Sequence, residues 1–346
     1  MYTDQSQKRQ RGVGLFVTRL FARPALMAVI LNLMMVPIVH SKPEVIAHRG
    51  ASGYLPEHTL EAATLAFAQG ADYVEQDLVL SRDLVPVVLH DIHLDTVTNV
   101  ATLFPDRRRE DGRYYAFDFT LAELKTLTVH ERRQLDGTQV FKDRYQGEAE
   151  FKIATFEEQL ELIAQLNRQF DKHVGFYPEI KSPAWHRAQG ADISKIVLGI
   201  LRQHKLDDAA KKIYVQCFDF TETQRLRTEL NAKVKLIQLI GENSWGESST
   251  DYTMLQTTEG LQQIAQVADG IGPWIPQVID PGSGKPTDLV ARAHDAGLAV
   301  HAYTFRVDAL PDGVDAERLM SVLFDEIKID GLFTDFTDVV RRFVRP

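Results

Sequence analysis

Two acidic residues interrupt an otherwise apolar stretch of the chain. Glu75 and Asp77 lie within Tyr73–Leu80, and in a strand this spacing of two puts both carboxylates on one face. Two carboxylates held this close repel each other, so we expect a cation between them or in front of them. Oxygen ligands favour a hard divalent ion, Ca²⁺ or Mg²⁺. The alternative is a pair of solvated carboxylates on an edge strand.

The same spacing recurs at Glu179 and Lys181, at the end of the apolar stretch 174–180. A third carboxylate and an ammonium therefore arrive on one face of a second strand. Taken alone, this pair is equally well explained as a surface salt bridge that contributes little energy.

His48 and Arg49 directly follow a short apolar run, and Gly50 and Gly53 come next. A strand that ends in this pair delivers an imidazole and a guanidinium to its carboxyl end, and the glycines allow the following loop to turn tightly. The alternative is a histidine packed at the strand end with Arg49 in solvent.

His90 ends a second apolar run, residues 85–89, which is too close to the strand before it for a crossover helix and should return as an antiparallel hairpin. If the turn is centred on Asp83 and Leu84, His90 lies opposite Asp77, beside the expected cation. A shift of one residue in this register would turn His90 away.

The elements that must position these residues alternate between short apolar runs and segments with helical spacing of apolar residues. This alternation predicts an α/β fold, a TIM (β/α)8 barrel, in which the chemistry takes place at the carboxyl ends of the strands. The predicted strands are 45–47, 73–80, 174–180, 213–218, 234–240, 270–273, 299–305 and 331–334.

Residues 91–150 are polar and irregular, and they predict an insertion over the barrel mouth, placed after the hairpin that follows the second strand. Insertions of this length are more often functional lids than spacers. Amide and aromatic residues at strand ends are candidates to line a pocket, although such aromatics more often pack the barrel; these are Gln216, Phe218, Trp274, Tyr303 and Phe305.

The N-terminal segment 1–41 combines basic residues with an apolar run over 25–36, which is typical of a secretory signal peptide with cleavage near Ser41. An uncleaved membrane anchor is the alternative. The barrel then occupies residues 42–346. With a net charge of −9 and no basic stripe, the chain is not expected to bind nucleic acid. A single cysteine, Cys217, excludes an intramolecular disulfide.

Together, His48-Arg49, Glu75-Gln-Asp77, His90 and Glu179-Ile-Lys181 resemble the signature of the glycerophosphodiester phosphodiesterase family. The likeness extends through most of residues 44–340. Within the family, the chain is most similar to the bacterial periplasmic enzymes, on the stretches HRGASGYLPEHT, YVEQDLV, FPDR, DGRYYAFDFTL and HAYTFR. His58 departs from the asparagine that many relatives have in the P-E-N-T segment, which leaves the role of His58 open.

This resemblance implies a barrel with a small insertion, located in the periplasm, that hydrolyses glycerophosphodiesters to sn-glycerol 3-phosphate and an alcohol. The expected substrates are small molecules such as glycerophosphocholine and glycerophosphoethanolamine. No stable membrane partner is expected once the signal is cleaved. By motif position, Glu75, Asp77 and Glu179 correspond to the ligands of a divalent cation, with Ca²⁺ expected ahead of Mg²⁺. His48 and His90 correspond to the acid/base pair.

A phosphodiester site needs positive charge to offset the phosphoryl oxygens, and Arg49 and Lys181 can supply part of it by binding the substrate. The preferred order has His48 as base and His90 as acid. Two other classes of protein remain open on the sequence alone. One is another barrel phosphodiesterase of the phospholipase C-like or sphingomyelinase D-like kind, and the other is a non-catalytic surface binding protein.

Overall fold

A computed structural model describes residues 42–344, so the predicted signal segment lies outside the described residues. Within this range, no helix is both long enough and apolar enough to cross a bilayer. The strands of the described chain are β1 Glu44–Ala47, β2 Tyr73–Leu80, β3 Pro86–Val88, β4 Gly175–Ile180, β5 Tyr214–Cys217, β6 Lys235–Ile240, β7 Gly270–Pro273, β8 Ala299–Phe305 and β9 Gly331–Thr334.

Eight of these strands run parallel and close on themselves. Their order is β1-β9-β8-β7-β6-β5-β4-β2, and the additional pairing of β1 with β2 completes the circle. The remaining strand, β3, pairs antiparallel with the end of β2. The prediction of a TIM barrel with a hairpin after its second strand is therefore confirmed, and each of the eight predicted strands is present.

Most of the helices connect the barrel strands and cover the outside of the barrel. The helices are α1 Leu60–Gln69, α2 Val100–Leu103, α3 Leu121–Leu124, α4 Phe156–Phe170, α5 Pro183–Ala188, α6 Ile193–Gln203, α7 Phe220–Thr228, α8 Tyr252–Leu255, α9 Thr258–Ala265, α10 Ile275–Val278, α11 Leu289–Asp295, α12 Ala316–Ser321 and α13 Thr337–Val344. Two short ones, α2 and α3, belong to the insertion at 91–150. Local sequence fixes their ends. Thr155 and Glu158 form a capping box that starts α4, and Gly70, at φ 90°, ends α1.

The predicted register of the hairpin is wrong by one residue. Leu78 pairs with Val88 and Leu80 with Pro86, so the backbone of Asp77 bonds that of Leu89 rather than facing His90. The turn has three residues, with Leu84 at φ 65°, and not the two-residue centre that the prediction assumed. The antiparallel ladder ends at Val88, so the chain bends before His90 and the shift does not carry that side chain away from the site.

The interior of the barrel is filled below the site. Tyr73, Tyr177, Tyr214, Ile237 and Phe333 belong to a buried cluster inside the ring of strands, and the tyrosine rings contact one another with centroids 5.0 to 5.8 Å apart. Tyr73 is the residue two positions before Glu75, so the same face of β2 packs the barrel at one end and presents carboxylates at the other. The larger apolar core lies between the strands and the surrounding helices.

The insertion, residues 91–150, has a buried apolar core of its own. Its apolar side chains pack on the hairpin residues Val79, Val87 and Leu89, and they include Leu94, Val97, Val100, Tyr114, Phe119, Leu124, Leu127 and Val129. These residues follow no helical or strand period, which is why the sequence predicts an irregular segment. The insertion is therefore docked on the outer end of the barrel by hydrophobic burial.

Candidate active site

Six of the seven predicted site residues line one cavity at the carboxyl ends of the barrel strands. The cavity measures about 700 Å³ including its open mouth, and its lining includes His48, Arg49, Glu75, Asp77, His90 and Glu179. This is the face at which barrel enzymes carry their active sites. Side chains from four separate stretches of the chain thus meet in one place.

The three carboxylates stand on neighbouring strands. The register of β2 and β4 sets Asp77 opposite Glu179, and both residues, like Glu75, are at most 5% exposed. Burial, followed by the charge of Asp77, raises the pKa of Glu75 well above its usual range. Burial also opposes the ionisation of Asp77, but the charges of His90 and Lys181 hold its pKa well below the usual range. Glu75 therefore resists ionisation unless further positive charge enters the site.

The arrangement of these carboxylates fits a divalent cation. Asp77 Oδ1 is buried and has no hydrogen-bond partner among the described residues. One ligand atom from each of His58, Glu75 and Asp77 lies within 4.8 Å of the others. An unpartnered carboxylate oxygen beside a second carboxylate is the environment that a hard cation with oxygen ligands prefers. The third member of this group is His58, whose Nε2 is 2.7 Å from Asp77 Oδ2. Glu179, the third ligand expected from the sequence, is not part of the group.

Arg49 is held at the site by its backbone as well as by its side chain. Its φ is 59°, and its N–H donates to Glu75 Oε2 at 2.6 Å. The guanidinium donates to Glu57 Oε2 at 3.0 Å and approaches Asp77 Oδ2 at 3.7 Å. Gly50 follows at φ 81°, and a Cβ there would lie 2.8 Å from the carbonyl carbon of Ala62 in α1. The glycine after the His-Arg pair is therefore required by both the turn and the close helix.

Each of the two histidines contacts a carboxylate through Nδ1. His48 Nδ1 lies 2.6 Å from Asp335 Oδ1, and His90 Nδ1 lies 2.7 Å from Asp91 Oδ1. A neutral imidazole that donates from Nδ1 keeps Nε2 as an acceptor. Burial and the charge of Arg49 lower the pKa of His48 to about 3, so this ring is neutral at pH 7.

The protonation of His90 is more evenly balanced. Burial, then the charges of Arg49 and Lys181, lower the pKa of His90, whereas the carboxylates of Asp91 and Asp77 act in the opposite direction. A negatively charged substrate beside this ring would favour the imidazolium further.

Lys181 is buried beside the cavity and is not one of its lining residues. Its Nζ is 2.9 Å from Glu179 Oε1, and both side chains are buried. Burial disfavours the charged ammonium, but the carboxylate of Glu179 outweighs burial and raises the pKa of Lys181. The structure thus joins Glu179 and Lys181 as a buried ion pair rather than a surface salt bridge. Direct contact of Lys181 with a substrate stays a prediction.

The pocket walls follow the sequence prediction in part. Gln216, Phe218, Trp274 and Tyr303 line the cavity, whereas Phe305 is fully buried in the barrel core. Sequence reasoning missed several lining residues on the later strands and on the loops that follow them; these are Leu239, Trp245, Glu247, Thr304, Arg306 and Phe333.

The carboxylates that contact the histidines were not assigned from sequence either. Asp91 directly follows His90, and Asp335 directly follows the last barrel strand. A carboxylate next to a histidine or at a strand end is therefore the sequence signal that could have found both.

The fold and the site define a barrel enzyme that gathers acidic groups and imidazoles at the carboxyl ends of its strands. The sequence pattern of the Glycerophosphoryl diester phosphodiesterase family matches residues 48–339. The chain belongs to this family.

Relatives cover most of the chain. A glycerophosphodiester phosphodiesterase of Haemophilus influenzae is 39% identical and covers 87% of this chain and 89% of its own length. One of Treponema pallidum is 35% identical, with 88% and 92% covered.

Solved structures share the fold. A glycerophosphodiester phosphodiesterase from Thermotoga maritima aligns with a TM-score of 0.55 and 22% identity, covering 88% of this chain and 99% of that one. A phosphodiesterase from Oleispira antarctica, in complex with the product sn-glycerol-3-phosphate, aligns with a TM-score of 0.59 and 22% identity over 87% and 96%.

Proposed function

We propose that this protein hydrolyses glycerophosphodiesters to sn-glycerol 3-phosphate and an alcohol, with help from a divalent cation and with two histidines as acid and base. The family membership and the names of the relatives support the phosphodiesterase activity. The observation that carries the chemistry is the meeting of His48, His90 and three carboxylates in one cavity.

Glu75 and Asp77 are the residues proposed to hold the cation, with Glu179 from the neighbouring strand and His58 beside them. When bound, a divalent cation would offset the charge that develops on the phosphoryl oxygens. We propose Ca²⁺ ahead of Mg²⁺, because Ca²⁺ accepts irregular sets of oxygen ligands whereas Mg²⁺ demands near-octahedral geometry. Arg49 adds a second positive charge at the same wall.

The two imidazoles are proposed to move the protons. His48 is neutral at pH 7 and has Nε2 free, so it suits the removal of a proton from the attacking hydroxyl. His90, beside Asp91 and Asp77, then gives a proton to the departing alkoxide. In this scheme the 2-hydroxyl of glycerol attacks phosphorus, the bond to the alcohol breaks and a cyclic phosphate forms. Water opens the cyclic phosphate in a second step, in which the two histidines exchange roles.

The proposed substrates are glycerophosphodiesters with small alcohols, such as glycerophosphocholine and glycerophosphoethanolamine. The likeness to a phosphodiesterase that was solved with sn-glycerol-3-phosphate supports the glycerophosphate half of this proposal. For the location, we propose export to the periplasm by residues 1–41. N-terminal sequencing of the protein recovered from the periplasmic fraction tests this, and an N-terminus at Met1 would contradict cleavage.

The test of the proposed function is product analysis with several glycerophosphodiesters, after chelation and then with added Ca²⁺ or Mg²⁺. We expect chelation to abolish the release of glycerol 3-phosphate and Ca²⁺ to restore it. Single His48→Ala and His90→Ala variants should then be assayed on a substrate with a p-nitrophenolate leaving group. An activated leaving group needs no acid, so His90→Ala should be rescued and His48→Ala should not. Equal losses for both variants would contradict the assignment.

A further inference from the structure

The insertion, residues 91–150, contributes no side chain to the lining of the cavity within the described chain. Two of its arginines, however, lie in the buried interface beside the cavity. The side chains of Arg132 and Arg144 are 16% and 4% exposed, which is low for arginine. Each guanidinium contacts the carboxylate that bonds one of the two site histidines.

The first of these connections leads to His90. Arg132 donates from one terminal nitrogen to Asp91 Oδ2 at 2.6 Å, while Asp91 Oδ1 bonds His90 Nδ1. The other nitrogens of the same guanidinium donate to both oxygens of Glu57, at 2.6 and 3.0 Å. Glu57 in turn accepts from Arg49. One arginine of the insertion thus reaches both a histidine and an arginine of the cavity, each through a single carboxylate.

The second connection leads to His48. Arg144 donates to Asp335 Oδ2 at 2.7 Å, while Asp335 Oδ1 bonds His48 Nδ1. Arg144 is fixed in place by Asp308, at 2.8 and 3.1 Å, and by the carbonyl oxygen of Ser52 at 3.2 Å.

The two connections have the same layout. In each, a guanidinium occupies the far oxygen of a carboxylate and leaves the near oxygen to accept from Nδ1 of a histidine. A carboxylate fixed in this way sets the tautomer and the orientation of the ring, and it directs Nε2 away from itself. The two connections come from one segment of the chain but end on histidines that follow different strands, β1 and β3.

We infer that Arg132 and Arg144 are positioning residues of the insertion, which hold the carboxylate partners of His90 and His48 so that each Nε2 faces the reacting phosphate. This inference rests on the acid and base roles proposed above. The two arginines touch neither histidine, and they act through Asp91 and Asp335.

The insertion has docking contacts other than these arginines. The insertion already packs on the hairpin through an apolar cluster that includes Val79, Val87 and Leu89. A buried guanidinium costs desolvation energy that a merely structural contact would not need. The presence of an arginine at each of the two carboxylates is explained by the histidine that the carboxylate holds.

The two arginines are not equivalent, and this gives a directional expectation. Asp335 also accepts from Arg306 Nε at 2.8 Å, a residue of the barrel, so it keeps one cation when Arg144 is removed. On Asp91, the side-chain partners among the described residues are His90 and Arg132. Loss of Arg132 should therefore disturb His90 more than loss of Arg144 disturbs His48.

The experiment compares Arg132→Gln, Arg144→Gln and the control Arg133→Gln in the whole protein. Arg133 is the neighbouring residue, is exposed and makes none of these contacts. On glycerophosphocholine, we expect kcat to fall about 10- to 100-fold for Arg132→Gln, less for Arg144→Gln and not at all for the control. On a glycerophosphodiester with a p-nitrophenolate leaving group, the loss for Arg132→Gln should shrink to a few-fold, because His90 acts as the acid. The loss for Arg144→Gln should be the same on both substrates.

Two further measurements separate positioning from folding. Arg132→Lys keeps a cation for Asp91 but cannot bond Glu57 with two nitrogens. It should therefore recover part of kcat, while KM should rise above the wild-type value because Glu57 holds Arg49 at the cavity. ¹⁵N spectra of the histidine rings should show a proton on Nδ1 of His48 and His90 in the wild type and a changed signal for His90 in Arg132→Gln.

Unchanged ring signals in both glutamine variants, or the same leaving-group dependence as the wild type for Arg132→Gln, would overturn the inference. If the wild type releases no glycerol 3-phosphate, the proposed function fails, and the ring spectra still decide whether the arginines set the tautomers.

Discussion

Replacement of Glu75 by glutamine should separate the two effects of the carboxylate cluster, its cost to the folded protein and its affinity for a cation. The ligand atoms of Glu75 and Asp77 lie within 4.8 Å of each other. Two unit charges at this distance repel by about 3.5 kcal/mol at an effective dielectric constant of 20. Glutamine has nearly the same shape and still accepts the hydrogen bond that Arg49 N–H donates to Oε2 at 2.6 Å.

With a chelator at pH 8, Glu75→Gln should therefore be more stable than the wild type by about 1–3 kcal/mol, or roughly 2–6 °C in Tm for a chain of this size. The sign depends on pH. The pKa of Glu75 is raised well above the ordinary glutamate value of about 4.5, so the folded wild type holds this proton more tightly than the unfolded chain. The wild type then loses stability as pH rises above about 4.5, and the advantage of the variant should vanish at pH 4.

The response to a cation should have the opposite sign. A ligand at 100 times its Kd stabilises the folded state by about 2.7 kcal/mol, which is roughly 5 °C in Tm for the wild type. At the same Ca²⁺ concentration, Glu75→Gln should shift by less than about 1 °C if its Kd rises 100-fold. Thermal unfolding of both proteins, with and without Ca²⁺, measures all four values.

Glu161→Gln serves as the control, because Glu161 is an exposed residue of α4. It should respond to Ca²⁺ as the wild type does. A wild type whose Tm does not change with Ca²⁺ or Mg²⁺, or a Glu75→Gln variant that is less stable than the wild type in chelator, would refute the reasoning.

Three further predictions follow from single sites. Gly50→Ala should lower both the stability and kcat/KM. The loss of stability should exceed that of Gly112→Ala by about 1–3 kcal/mol, because both glycines have φ above 80° but only at Gly50 would an added Cβ meet other atoms within 4 Å. Equal losses of the two variants in chemical denaturation would contradict this. Lys181→Met should lower the free energy of unfolding by about 3–5 kcal/mol, because it leaves the buried Glu179 unpaired. The double variant with Glu179→Gln should regain most of this stability. Burial raises the pKa of Glu44 to about 6, so Glu44→Gln should be more stable than the wild type by about 1–2 kcal/mol at pH 7 but not at pH 4 in urea titrations.

The extent to which the site could be predicted differs between its parts. The spacing of Glu75 and Asp77 fixes their common face, because side chains alternate along any strand. His48 was predictable as a strand-end residue, and its place in the cavity then follows from barrel closure. The hairpin register was not predictable, because it depends on whether the turn has two or three residues, and a leucine at positive φ gives no sequence signal.

Contacts between distant parts of the chain lay beyond the sequence. His48 and Asp335 are 287 positions apart and meet only because β1 and β9 are neighbours in the closed barrel. Arg132 and Arg144 lie in a segment without periodicity, so no pattern indicates which of its many charged residues turns inward. Their directions are set by the packing of the insertion on the hairpin.

The alternation of strands and helices, the barrel and the residue types at the strand ends are predictable from the amino-acid sequence, because these features depend on local periodicity and on short motifs. Three features depend on tertiary contacts: which carboxylate oxygens share a site with His58, that Lys181 pairs with Glu179 in a buried position, and which arginines hold the partners of the two histidines. These contacts join residues far apart in the chain. Their geometry follows from the closure of the barrel and from side-chain packing, which the local spacing of residues does not predict.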